Sequence, residues 1–195
     1  MSARRRRWIS ALVVAAVGAA LASAVVASSF DDGSSLTAAI DEAPLVRVAD
    51  IEADEGAPAL GVYTQLTDTG HVCVWEAASA TSRQRGGGCN TVDDPLNGQP
   101  VSFTLSYDGG PAPVDVRSAT VFGLALSEVA GVRILMSDGS WRAVKLKKAR
   151  VGADEFKAFG YRFRKSDLKS GNGPVAVVAF AVGGAEIGRQ TTGIG

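Results

Sequence analysis

From residue 57 onward, apolar residues come in short runs cut every few positions by Gly, Asp, Asn or Pro. Short runs bounded by turn formers are the signature of strands. The pattern predicts strands over 60–67, 71–77, 101–107, 118–126, 131–137, 141–148, 156–164, 175–182 and 186–192. Asp68-Thr69-Gly70, Asp138-Gly139 and Gly183-Gly184 read as hairpin turns, because these residues tolerate the positive φ that tight turns require. Where alternation is clean it assigns faces. Val144 and Leu146 fall on one side of 141–148, with Ala143, Lys145 and Lys147 on the other, and Phe159, Tyr161 and Phe163 share a side of 156–164. The run 175–182 is apolar on both sides and is expected to be the most central strand. Nine short strands with three hairpins predict an all-β fold, an immunoglobulin-like or related antiparallel sandwich.

The first 56 residues have a different texture. Arg4-Arg5-Arg6-Arg7 precedes Trp8 and an uncharged run rich in Ala, Val and Leu up to Ala27. A basic start followed by an apolar segment is the pattern of an export signal. The run of about 19 residues also stands at the lower limit for a helix spanning a ~30 Å hydrocarbon core. Residues 1–27 are therefore expected to be an apolar helix, a signal peptide or a membrane anchor. Either way the body faces outward, secreted or anchored to the cytoplasmic membrane by residues 8–27. Residues 28–56 are small and acidic and read as a flexible linker. The expected organisation is thus 1–27, then 28–56, then a β-rich extracytoplasmic domain over 57–195.

Composition adds one feature. The 195 residues carry 20 basic and 20 acidic side chains, but their distribution is uneven. Residues 28–107 hold 3 basic and 12 acidic residues, and residues 108–195 hold 13 and 8. The two halves can complement one another inside one fold, or the basic half can present a surface to an anionic partner.

Candidate chemistry is sparse. Cys73 and Cys89 are the two cysteines of the chain, and in an exported protein an even pair is expected to be oxidised. His71 is the one histidine, with no Gly-x-Ser-x-Gly elbow to serve; alone it cannot build a zinc centre. Asp50-Ile51-Glu52-Ala53-Asp54 has the first acids of a calcium loop without its later positions, and Gly86-Gly87-Gly88 lacks the Lys-Ser/Thr of a phosphate cradle. The reading therefore assigns no catalytic residue, no metal ligand and no cofactor. Residues 141–165 gather nine basic residues against Asp154 and Glu155. Among them Lys145, Lys147, Arg162 and Arg164 are expected to share the exposed side of neighbouring strands, with Val144, Leu146, Tyr161 and Phe163 behind them in the core.

The leader, the acidic linker, Gly86-Gly87-Gly88-Cys89, the segment Val132-Arg133-Ile134-Leu135-Met136-Ser137-Asp138-Gly139, the apolar run 175–181 and Ile187-Gly188-Arg189 together resemble exported envelope proteins of actinobacterial type over roughly residues 60–195. The resemblance implies an envelope location and a sandwich fold, and brings no catalytic residues with it. The functional expectation is a non-enzymatic binding or structural β-domain. Its partners would be anionic cell-envelope components or another envelope protein, and not nucleic acid. The competing reading is a secreted hydrolase using a carboxylate pair near the first hairpin, such as Asp68 and Glu76.

Overall fold

The computed structural model describes residues 43–51, 59–109 and 116–193. Within them the chain forms β1 (Val46–Ile51), β2 (Leu60–Leu66), β3 (His71–Ala77), β4 (Arg85–Thr91), β5 (Val101–Gly109), β6 (Val116–Leu126), β7 (Gly131–Met136), β8 (Trp141–Val144), β9 (Lys147–Val151), β10 (Asp154–Arg162), β11 (Pro174–Phe180) and β12 (Glu186–Thr191). The single helical element among them is a 3-10 turn at Lys169–Gly171. The strands build three four-stranded sheets in the orders β1-β2-β3-β4, β5-β6-β10-β9 and β12-β11-β7-β8, with antiparallel pairing throughout. The all-β, antiparallel architecture expected from the alternation is present.

The middle of these sheets is covered on both faces, and β6 explains why. Its residues Ala119, Val121 and Ala125 belong to one core, shared with Val132, Ile134, Val144, Val177 and Ala179 of the carboxy-terminal sheet. Its intervening residues Phe122 and Leu124 belong to a second core, shared with Ala49, Ile51, Val62 and Val72 of the amino-terminal sheet. A strand apolar at both parities must be covered twice. β10 divides in the same way, sending Phe159 into the first core and Phe156 and Ala158 into the second. Gly160 lets the layers close together: a Cβ there would stand 2.5 Å from Ile51 Cγ1 and 3.0 Å from Val62 Cγ2.

Four expectations change on this frame. The acidic segment 28–56 is not all linker, because its residues 46–51 form β1, pair with β2 and bury Ala49 and Ile51. Ala49 and Ile51 alternate with the exposed Asp50, so β1 offers the sheet one buried apolar side. The β-domain therefore begins before residue 57. Next, 141–148 is not one strand: β8 ends at Val144 in the carboxy-terminal sheet and β9 starts at Lys147 in the central one. Leu146 packs against the first core at that crossing. The Gly-rich β4 went unread because glycines carry no strand signal of their own; pairing with β3 over seven residues supplies the order instead. Finally, 175–182 corresponds to β11, an inner strand of an outer sheet. Its outward residue Val178 is buried, with Arg133 and Arg189 as its register partners.

The three expected turns are present, with Gly139 at φ 80°, Gly183 at 95° and Gly184 at 86°. The expected apolar helix over residues 1–27 lies outside the described residues.

Candidate functional site

The β9–β10 hairpin sets four charged residues around a hollow. Its two-residue turn, Gly152-Ala153, sets the register so that Lys148 stands opposite Lys157 and Arg150 opposite Glu155. Alternation places these four on the side away from the amino-terminal sheet, since Ala149, Val151, Phe156 and Ala158 point into the second core. With Ser127 from the segment after β6, and with Ala149 and Phe156 between them, they line a surface concavity of about 420 Å³. Lys157 is half-buried and donates from Nζ to the Val129 carbonyl at 2.6 Å. Arg150 donates to Glu155 Oε1 at 3.0 Å, a pair exposed to solvent on both sides and therefore of small energetic weight. Three cations thus surround one carboxylate. Like charges directly opposite across a ladder repel, and the Lys148–Lys157 pair is such a case.

A second polar cluster ties down one end of the sandwich. Asp167 is buried and receives Arg142 Nε at 2.9 Å and Nη2 at 2.8 Å on one oxygen. Its other oxygen accepts the Arg164 backbone N–H at 3.0 Å and the Tyr161 hydroxyl at 3.4 Å. Burial, reinforced by the Asp167 carboxylate, pushes the Tyr161 phenol above its ordinary value. Arg142 continues through the Ser140 hydroxyl to Asp138, which also receives Asn172. The Ser140 hydroxyl and backbone hold Asp138 below the usual carboxylate range. Every group named in this chain has a partner, which makes it a clasp between the β7–β8 turn and the segment before β11.

Cys73 and Cys89 are register partners on β3 and β4, with Cα atoms 3.9 Å apart and sulfurs at disulfide distance. Such a pair accords with a location outside the cytoplasm. Of the four basic residues singled out by the sequence, Lys147 is paired with Asp50 of β1, which also takes Arg47 at 2.9 Å. Lys147 and then Arg47 draw the Asp50 carboxyl down. Arg162 shares a row with Thr120 and Ser106 on the side facing the amino-terminal sheet. Lys145 lies in the crossing between β8 and β9, and Arg164 lies beyond β10, both exposed. The four are divided among different surroundings, because the strand expected to carry two of them switches sheets. The inward half of that expectation holds, as Val144, Leu146, Tyr161 and Phe163 all meet in the first core.

The carboxylates proposed for hydrolysis do not face each other. Asp68 sits in the β2–β3 turn, while Glu76 is the sixth residue of β3, opposite Val62 and Gly86 at the far end of the hairpin. His71 contacts Thr69 Oγ1 through Nδ1 at 3.3 Å, in the same turn. Among the described residues no three His, Cys, Asp or Glu side chains gather as a metal site.

The sequence reading missed the Lys148–Lys157 pair, yet its signal was present. A turn centred on Gly152-Ala153 fixes both cross-strand pairs by counting outward, but reading 141–148 as one strand hid that hairpin. No family model, curated protein or solved structure matches the chain.

Proposed function

We propose that this chain is a non-enzymatic binding module of the cell envelope, and that the β9–β10 concavity is where it holds an anionic partner. The carrying observation is the Lys148–Lys157 pair, two cationic residues opposite one another in the β9–β10 register that line a hollow together with Ser127. A phosphate or carboxylate seated between them turns a repulsion into two attractions. The expected class of partner is therefore an envelope polymer or lipid headgroup that carries such groups. The envelope setting is supported by the leader of the sequence, by the resemblance to exported actinobacterial-type proteins and by the cysteine pair at bonding distance. An immunoglobulin-like or related sandwich for part of the stacked sheets belongs to the same reading.

The test is retention of the full chain on phosphatidylglycerol vesicles, with phosphatidylcholine vesicles as the neutral control and soluble phosphorylated wall polymer as competitor. Binding is expected to fall with salt, as the screening length shortens from ~10 Å at 0.1 M to ~3 Å at 1 M. Lys148→Gln should weaken retention with an unchanged melting temperature, since Lys148 is exposed. Equal retention of the variant and the parent at low salt would remove the proposal. Competition by the wall polymer identifies the polymer as the source of the anion, and its absence identifies the lipid.

A further inference from the structure

Residues 78–95 include no buried residue, although β4 lies within them; Ala77 before them and Leu96 after them are both buried. The composition of β4 is the reason. Val72 and Val74 pack with the second core, so their register partners Asn90 and Gly88, and with them Gly86, are the β4 residues on that side. None of the three brings an apolar side chain, and a Cβ on Gly88 would meet nothing within 4 Å. Among the other end strands β1, β5, β8 and β9 each bury apolar residues. β12 buries none and contains no cysteine. β4 buries none either, but Cys89 ties it to Cys73 of β3.

The balance that keeps β4 in place depends on that tie. Three successive glycines lose much freedom when they join a strand. Closing β4 also brings Gly86 against Glu76: a Cβ there would stand 3.3 Å from Glu76 Oε1, and Glu76 Oε2 is buried without a hydrogen-bond partner. A buried polar atom left unpaired is costly, and it regains water when the strand lifts. Against these costs stand the ladder with β3, the Val92 N–H donated to the Gly70 carbonyl at 2.8 Å, and the Arg85 guanidinium 5.1 Å from the centre of the Trp75 ring. The cysteines are 16 positions apart. A bond closing a loop of that size disfavours the open strand about a hundredfold. Cys73 is fully buried and Cys89 half-buried beside the exposed Gly88, so the Cys89 sulfur is the one an attacking thiolate reaches.

We propose that Cys73–Cys89 is a site of thiol–disulfide exchange for a dithiol reductant of the Cys-x-x-Cys class, and that its reduction releases residues 78–95 from a domain that stays folded. A thiolate of the reductant attacks Cys89 Sγ and forms a mixed disulfide, while the bond to Cys73 breaks and Cys73 leaves as a thiolate. The reductant's second thiol then attacks its partner sulfur in the mixed disulfide, Cys89 leaves, and the reductant ends as a disulfide. Two electrons and two protons pass from the dithiol to the cysteine pair. Release uncovers the edge of β3 and the Glu76 carboxyl, while Ala77 and Leu96 anchor the segment at both ends.

The test incubates the full chain with millimolar dithiothreitol in the absence of denaturant, counts thiols by alkylation and mass, and follows amide hydrogen exchange. The expected result is no alkyl group before reduction and two after it. Exchange at residues 85–91 should become about a hundredfold faster, with β6 and β10 unchanged. β12 is the control for general loosening, since it buries no residue either and should exchange equally in both forms. The double variant Cys73→Ala with Cys89→Ala should exchange as the reduced parent does. The proposal is overturned if the bond resists dithiothreitol until denaturant is added, if β4 stays as protected after reduction as before, or if the reduced parent loses protection at β6 and β10 as well.

Discussion

Two glycines in strands show how much a single hydrogen atom decides here. At Gly160 a methyl group would intrude on Ile51 and Val62, where the amino-terminal and central sheets touch. Gly160→Ala is expected to cost about 1–3 kcal/mol, the range for overpacking a filled core. At Gly131 a Cβ meets nothing within 4 Å, so Gly131→Ala should leave the chemical-denaturation midpoint nearly where it was. Equal effects of the two would contradict the close approach. Neither glycine is distinguishable in the sequence, since both sit inside apolar runs. Tyr161 gives a pH test. Burial first, then Asp167, raises its phenol above the ordinary 10.0. The unfolded chain therefore releases this proton before the folded one does. Stability that is complete below pH 10 is lost as pH climbs through the folded value. Tyr161→Phe should flatten this part of the alkaline fall in melting temperature, measured from neutral to about pH 11; an unchanged slope would show that Tyr161 does not titrate with folding.

At the scale of elements, β1 carries the clearest consequence. Its sequence, Val-Arg-Val-Ala-Asp-Ile, mixes two charges into a short run beside acidic residues, and so reads as linker. In the fold those charges are explained: Arg47 stacks on the Tyr63 ring with its guanidinium 5.9 Å from the centroid, and Asp50 bridges Arg47 and Lys147. The apolar remainder closes the second core. A chain starting at residue 57 loses Ile51 and Ala49 from that core and should melt well below one starting at residue 43. Ile51→Ala alone should cost about 2–5 kcal/mol. Coincident melting curves for the two truncations would return β1 to the status of a tether. The same lesson, that pairing supplies what local propensity lacks, applies to β4, where three successive glycines are held in register by β3.

For the whole molecule, the decisive feature is that both cores share β6 and β10. Neither outer sheet can separate without uncovering a face of the central one, so the described domain should unfold in a single calorimetric transition. Val62→Ala and Val177→Ala, on opposite sides of the central sheet, should lower that one transition together; two resolved transitions would mean that the layers fold independently. The charge asymmetry of the chain reappears at this scale, with the Asp50–Lys147 pair joining the acidic half to the basic half. By itself the sequence determined the all-β class, most strand positions and three hairpins, because alternation and turn chemistry are local properties. It also determined that Val144 and Tyr161 point inward, since parity along a strand is a property of the residue pattern, whereas Leu146 reaches the same core from the crossing between β8 and β9 and Phe163 from just beyond β10. Only the tertiary structure decided which strands share a sheet, that the chain changes sheets at Lys145-Leu146, and that the basic residues divide so that Lys148 and Lys157 stand opposite in register while Lys147 pairs with Asp50. Those outcomes depend on register and on contacts between residues far apart in the chain, as in the pairing of Lys147 with Asp50, and no local pattern encodes the distance between two strands that the fold brings together.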